Sequence, residues 1–337
     1  MRLYRLPTAT KIEDLTLTDA PSPAPGPGQV KVRVRAVSLN YRDLMIAAGK
    51  YGNQPPRAGL VPCSDGAGDV VAVGDGVTRV RPGDRVAGIF HQKWLGGPPS
   101  DSIPPCALGG DLDGVLAEEV VLDANGVVKL PDSLSFEEAA TLPCAAVTAW
   151  AALFGDRPLV AGETVLTLGT GGVSVFAIQF AKAAGARVIA TSSSDEKLAR
   201  AKTLGATDGI NYTSTPEWGR AVQQITDGRG VDHVVEVGGG GTMDQSLTAV
   251  ARGGQVHLIG VLTQGQINPL RLLTRAITLR GVYVGSRDAF EAMNRAIVAN
   301  AIKPVIDRVF DFEQATDAYR HLASGSHFGK IVIRVAE

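Results

Sequence analysis

Val165-Leu-Thr-Leu-Gly169-Thr-Gly171-Gly172-Val173-Ser174-Val-Phe-Ala-Ile-Gln-Phe-Ala-Lys182 joins a short apolar run to a helical pattern through a cluster of glycines. Val165, Leu166 and Leu168 suit a buried parallel strand, while Val173, Phe176, Ala177, Phe180, Ala181 and Ala184 recur at helical spacing until Gly185 can end the helix. Glycines in such a turn let a phosphate approach backbone N–H groups at a helix N-terminus, where the partial positive charge favours an anion. Against Gly-x-Gly-x-x-Gly the chain supplies Gly169 and Gly171, with Ser174 in the third glycine position. That third position serves close helix–strand packing, for which serine is small enough, so pyrophosphate binding rests on Gly169, Gly171 and Gly172.

Strand and helix patterns alternate beyond the turn: strands at 187–191, 210–212, 231–237 and 255–261, helices at 195–204, 217–226 and 242–250. This rhythm specifies an α/β fold, a parallel sheet wound with helices on both faces. A further strand at 277–284 and a helix at 288–300 follow, then an amphipathic helix at 313–322 and a last strand at 330–335. Upstream, Val30, Val32, Val34 and Ala36 alternate with Lys31, Arg33 and Arg35, giving a strand with one buried and one solvated face. Asn40 to Ala48 reads as a short helix closed by Gly49-Lys50-Tyr51-Gly52, and short strands at 66–73 and 81–86 complete a glycine-rich β domain. The segment 91–114 has little periodicity and is either a functional loop or a surface excursion. Ser135-Phe-Glu-Glu138 is a capping box whose helix runs toward Pro143-Cys144, and 145–154 is a second helical stretch.

A chain of 337 residues is long enough for two domains, and its net charge of −1 leaves no basic excess for a nucleic-acid or membrane-surface partner. No apolar run has membrane-spanning length, and no signal peptide is evident. Cys63, Cys106 and Cys144 are odd in number and widely spaced, which argues against a disulfide framework and for a reducing, cytoplasmic setting.

The strand following a dinucleotide turn ends in an acid when the ribose carries a free 2′-hydroxyl. Here it ends Thr191-Ser192-Ser193-Ser194, and Ser193-x-x-Glu196 reads as a capping box that assigns Asp195 and Glu196 to the helix N-terminus. Ser193, Ser194, Lys197 and Tyr212 offer the donors and the cation that a 2′-phosphate needs, which favours NADP(H) over NAD(H).

Over nearly its whole length the chain resembles the medium-chain dehydrogenase/reductase superfamily. The resemblance rests on Gly66-Ala-Gly68, Arg81-Pro-Gly-Asp-Arg85-Val, Leu134-Ser-Phe-Glu-Glu-Ala-Ala140, Pro143-Cys144 with Thr148-Ala-Trp150, Gly171-Gly172-Val173 and Gln179-x-Ala181-Lys182. It implies a chaperonin-10-like β-barrel catalytic domain over 1–127, to which 303–337 returns, and a Rossmann domain over 128–302. It also implies a site in the cleft between the domains. Thr148 and Val173 would lie near the nicotinamide, Gly260 and Val261 would contact its amide through the backbone, and Lys197 with Tyr212 matches the pair that holds the 2′-phosphate in NADPH-dependent relatives. The strand 277–284 lies where the family joins two sheets edge to edge, so a homodimer is expected.

Zinc alcohol dehydrogenases of the superfamily hold their catalytic metal with a Cys, a His and a second Cys. By motif position Asn40 replaces the first ligand, Ser64-Asp65 replaces the His-Glu pair, and only Cys144 remains, too few ligands for a zinc site. The four cysteines of the structural zinc lobe would fall in the loop that holds only Cys106. Zinc independence is therefore expected, with Cys144 a small buried residue. Without a Lewis acid, hydride delivery to the β-carbon of an enone or a quinone is the easier chemistry, because the charge spreads onto a conjugated oxygen. Asn40-Tyr41-x-Asp43 and Gly49-Lys-Tyr51-Gly52 resemble segments of quinone oxidoreductases and zinc-less enoyl reductases. In that resemblance Asn40 and Tyr41 line the site and Tyr51 is a proton donor; read on its own, Tyr51 is equally a loop aromatic packed on the barrel. The expected activity is NADP(H)-dependent reduction of a quinone or an α,β-unsaturated carbonyl. Alternatives are an alcohol or carbonyl dehydrogenase of the same superfamily and a crystallin-like NADPH-binding protein without turnover. His233 reads as a satisfied core histidine, and no histidine has metal-ligand spacing.

Overall fold

Two short antiparallel strands, β1 (Arg2–Arg5) and β2 (Thr16–Asp19), precede β3 (Gln29–Ser38), whose alternate valines are buried as the two-residue period requires. In this computed structural model, which describes residues 1–52 and 55–336, β3 pairs with both β4 (Asp65–Val73) and β6 (Glu119–Asp123). The strands β5 (Arg85–Gly88) and β7 (Val127–Lys129) extend the same antiparallel sheet. Helix α1 (Tyr41–Ala47) follows Asn40, whose backbone N–H donates to the Asp43 carboxylate at 2.7 Å. The capping box before α2 (Phe136–Ala140) is formed in both directions, Glu138 N–H to Ser135 Oγ and Ser135 N–H to Glu138 Oε2. A π-helical turn, Leu142–Ala146, then runs into α3 (Val147–Phe154). It stands where two helices were expected to meet, because Pro143 has no N–H and the Cys144 N–H leaves the ladder for Asp65 Oδ2 at 3.0 Å.

From Thr148 to Val284 the chain forms its own compact unit. Its strands are β8 (Thr164–Thr167), β9 (Arg187–Ser192), β10 (Asp208–Asn211), β11 (Val231–Glu236), β12 (Val250–Leu258) and β13 (Thr278–Gly281), all parallel in the order β10-β9-β8-β11-β12-β13. The order reverses between β8 and β11, the switch point at which a doubly wound sheet binds its ligand beyond the strand ends. The helices between strands are α4 (Gly172–Ala183), α5 (Asp195–Leu204), α6 (Trp218–Ile225) and α7 (Gly240–Ala249). Phe176 and Phe180 of α4 are buried with ring centroids 5.9 Å apart, each contributing about 1.5–3 kcal/mol by leaving water. A short helix not expected from the sequence, α8 (Pro269–Arg275), buries none of its residues, and its N-terminus is capped by Asn268 accepting from Leu270 N–H.

Helix α9 (Arg287–Ala299), β14 (Ile306–Asp311), α10 (Ala315–Ala323) and β15 (Lys330–Arg334) return to the first unit, where β15 lies between β14 and β3. That unit comprises Met1–Val147 and Gly285–Glu337, so the divisions fall at Val147 and Val284 and not at 127 and 302. The reason is packing: α2 lies on β3 and β4, and α9 is tied to the barrel by Asn294 donating to the Lys129 carbonyl and by Arg79 to Glu291. The expected loop 91–114 is partly built in, with Trp94, Cys106, Ala107 and Leu108 buried and bridges joining His91 to Ala107 and Leu108 to Leu112. No helix among the described residues is long and apolar enough to cross a membrane.

Candidate active site

At the C-terminal end of β8 the chain turns through Gly169, whose φ of 69° is a conformation that side chains disfavour. Gly171 is the N-cap of α4 and offers no side-chain cap to the first N–H groups of the helix. A β-carbon added at Gly169 or Gly171 would meet nothing within 4 Å, so the helix N-terminus faces open space. The turn is stitched from both sides: Ser174 Oγ donates to the Leu168 carbonyl at 2.6 Å, and Gly169 N–H donates to Thr191 Oγ1 at 3.3 Å. Ser174 thus bonds the helix to the strand end, which is more than the tolerance of a small residue expected from sequence. A pyrophosphate fits this cradle in shape and in charge.

Beyond β9 the cap of α5 is Ser194, whose Oγ accepts from Lys197 N–H at 3.3 Å, which corrects the expected Ser193-x-x-Glu196 box. The strand runs on through Ser192, leaving Ser193 as an exposed single-residue connection and Glu196 in the second helical position. Asp195 is engaged elsewhere, accepting from Asn211 Nδ2 at 2.9 Å. Lys197 stands in the first turn of α5, and Tyr212, exposed at the end of β10, donates its N–H to the Ser192 carbonyl. These residues border the end of β9, where the second ribose of a dinucleotide is held in folds of this kind.

Thr148 is buried in the first turn of α3 and Val173 is half-buried in the first turn of α4. Gly260 and Val261 follow β12, and a β-carbon at Gly260 would stand 2.1 Å from the Val237 carbonyl, so only glycine allows that approach. Sequence reasoning missed Glu236, at the end of β11. Its buried carboxylate accepts from Gly238 N–H at 2.7 Å, Gly239 N–H at 3.0 Å, Thr242 Oγ1 at 2.6 Å and Ser246 Oγ. The only signal was an acid near the end of an apolar strand, separated by one residue from the four glycines at 238–241.

In the first unit, Asn40 ends the turn after β3, with Tyr41 about half exposed and Arg42 and Asp43 buried behind it. Arg42 donates to the Leu108 carbonyl at 2.8 Å and lies over the rings of Phe90 and Tyr51, at 4.4 and 5.0 Å from their centroids. Tyr51 is packed against the barrel core, half-buried. Burial pushes the Asp43 carboxyl up to about 6, against the pull of Arg42 and the Asn40 N–H. Lys330, from β15, was read as a strand residue with no role; it is buried, and its ammonium donates to Asn40 Oδ1 at 2.6 Å and to the Leu39 carbonyl at 2.5 Å.

The positions that resemble metal ligands are likewise bonded to their own neighbours. Ser64 Oγ donates to Asp65 Oδ1 at 2.6 Å, and Asp65 Oδ2 accepts the Cys144 N–H. Desolvation and then Asp65 push the Cys144 thiol up to about 12. No group of three or more His, Cys, Asp or Glu among the described residues is placed to hold a metal ion. An amide bound to an ammonium and a hydroxyl are not zinc donors, and one cysteine beside them falls short of the three protein ligands of a catalytic zinc site.

The family described as zinc-binding dehydrogenase matches residues 172–299, and the alcohol dehydrogenase GroES-like domain matches residues 26–132. A zinc-type alcohol dehydrogenase-like protein of Schizosaccharomyces pombe is 47% identical over 308 residues, 89% of each chain. A 2-methylene-furan-3-one reductase of Solanum lycopersicum is 32% identical over 302 residues, 88% of this chain and 69% of that one. A solved structure from Sinorhizobium meliloti 1021, assigned provisionally as an alcohol dehydrogenase, is 43% identical with a TM-score of 0.92 over 99% of both chains. The structure of an NAD-dependent alcohol dehydrogenase is 34% identical with a TM-score of 0.91 over 100% of both. Both domains match in chain order and the likeness spans most of each relative, so the chain belongs to the medium-chain dehydrogenase/reductase superfamily of oxidoreductases.

Proposed function

We propose that the protein is an NADP(H)-dependent, zinc-independent reductase of quinones or α,β-unsaturated carbonyls. The observation that carries this reading is the donor set at Asn40, Ser64 and Cys144, where internal hydrogen bonds and a lysine ammonium stand in the place of metal ligands. Reduced nicotinamide, when bound, supplies a hydride. The chain's own part is to bind and orient. The turn at Gly169, Gly171, Gly172 and Val173 takes the pyrophosphate, and Ser193, Ser194, Lys197 and Tyr212 take the 2′-phosphate. Asp195 already accepts from Asn211 Nδ2, an engagement that supports NADP(H) over NAD(H). With hydride on the β-carbon, the electron pair moves onto the carbonyl oxygen, and a proton from Tyr51, Tyr41 or water completes the saturated product. Similarity to a reductase whose named substrate is a methylene conjugated with a ketone supports the substrate class.

A second reading, an alcohol or carbonyl dehydrogenase, is favoured by the likeness to an NAD-dependent alcohol dehydrogenase. A coenzyme-dependent screen of NADPH and NADH against quinones, enones and alcohols separates the two. Oxidation of NADPH accelerated by an enone or quinone is expected, and Lys197→Ala should narrow the preference for NADPH over NADH by about tenfold or more, the loss of one charge-assisted bond. Alcohol-dependent reduction of coenzyme with stoichiometric zinc overturns the first reading. We also propose a homodimer: Leu270 and Leu273 are exposed on α8, which precedes the outermost strand β13 in the chain.

A further inference from the structure

Lys330 is 3% exposed and Asn40 is 9% exposed, so their hydrogen bond is sheltered from water. An ammonium only donates, so the amide atom that faces Lys330 at 2.6 Å is the Asn40 carbonyl oxygen, and this settles which way the side chain is turned. The other end, Nδ2, is buried with no hydrogen-bond partner among the described residues. Two of the three ammonium donors are taken, by Leu39 O and Asn40 Oδ1. A buried amide N–H₂ without an acceptor is costly to maintain, and such a group in a native fold calls for a ligand or a water. Its polarity is reinforced by the cation bound to its oxygen. Arg42, Asp43 and Asp65 are buried in the same unit, and Asp43 lies close enough to Lys330 and Arg42 for both cations to favour its charged form.

We propose that Lys330 is a positioning residue that locks the Asn40 amide with Nδ2 directed to the carbonyl oxygen of the substrate, so that a fixed hydrogen-bond donor backed by a buried ammonium does the work of a metal ion. The inference rests on the carbonyl- or quinone-reductase reading and adds the group that stabilises the developing oxyanion. Hydride adds to the β-carbon, the C=C π pair shifts to form the enolate, and the negative oxygen accepts the Asn40 N–H. The proton that completes the product comes from elsewhere. Loss of a single oxyanion donor slows such reactions by about 100-fold or more.

The test uses the full-length protein with Lys330→Met, Asn40→Ala, the double variant, and Asn40→Asp, which still accepts from Lys330 and cannot donate. NADPH affinity is read by fluorescence titration, hydride transfer by single turnover with an enone or quinone, and folding by thermal unfolding. Each single substitution is expected to slow hydride transfer about 100-fold with NADPH affinity within about twofold. The double variant should be no slower than Asn40→Ala alone, since Lys330 acts through Asn40. Asn40→Asp should unfold at or above the wild-type temperature and still lose the rate. Multiplying effects in the double variant, or wild-type hydride transfer in Asn40→Asp, overturns this inference alone. A wild-type protein that binds NADPH and reduces no enone or quinone overturns the functional reading, and this inference with it.

Discussion

Gly171 separates binding from stability at a single atom. Its backbone (φ −77°, ψ −178°) suits any residue and a β-carbon there touches nothing, so Gly171→Ala should leave unfolding free energy within about 0.5 kcal/mol of wild type. The same methyl fills the space that the phosphates need, and NADPH affinity should fall at least tenfold, about 1.4 kcal/mol. Wild-type affinity in this variant would exclude the turn from the cofactor site. Ser174→Ala tests the opposite case: it removes the buried bond to Leu168 and should cost about 1 kcal/mol in urea unfolding. The sequence placed Ser174 in the turn correctly because the spacing is local. Its bond to Leu168 became visible only when the strand end and the helix were brought together.

The central strands β11 and β12 carry a buried histidine pair across the sheet. His233 Nδ1 meets His257 Nε2 at 3.0 Å, and His233 Nε2 faces Glu163 and Arg157, with Arg280 and Asp232 nearby. Burial, then the proximity of His233, holds His257 down to about 3, and burial lowers His233 as well. The unfolded chain takes up these protons below about pH 6.5 while the folded chain refuses them, so stability falls as pH drops. The slope reaches about 1.4 kcal/mol per pH unit for each histidine. Urea unfolding of His257→Gln between about pH 7 and 5, where Asp43 contributes equally to both proteins, should lose less stability than wild type over that interval. Equal slopes would show that His257 is not a buried neutral base. His233 was legible as a core histidine from its apolar strand, but its partner was not, since nothing in a sequence sets β11 beside β12 in register.

For the molecule as a whole, the apolar residues on α8 make the dimer testable. Leu273 is 78% exposed, and Leu273→Glu puts a charge where a partner's apolar surface would lie. Sedimentation at micromolar concentration should give a dimer for wild type and a monomer for the variant, with NADPH binding kept; a monomeric wild type removes the assembly. The alternation of strand and helix patterns determined the doubly wound sheet, and the spacing of glycines determined the turn at Gly169, Gly171 and Gly172, because both depend on residues within one or two turns of chain. Asn40 and Ser64, standing where the superfamily's zinc enzymes carry Cys and His, were legible as an expected departure by residue type alone. What decided their chemistry was the return of β15 to β3, which carries Lys330 about 290 residues along the chain to the Asn40 amide. A lysine at the start of an apolar strand reads as solvated until the tertiary structure buries it, because burial and pairing are properties of the neighbours that long-range folding supplies.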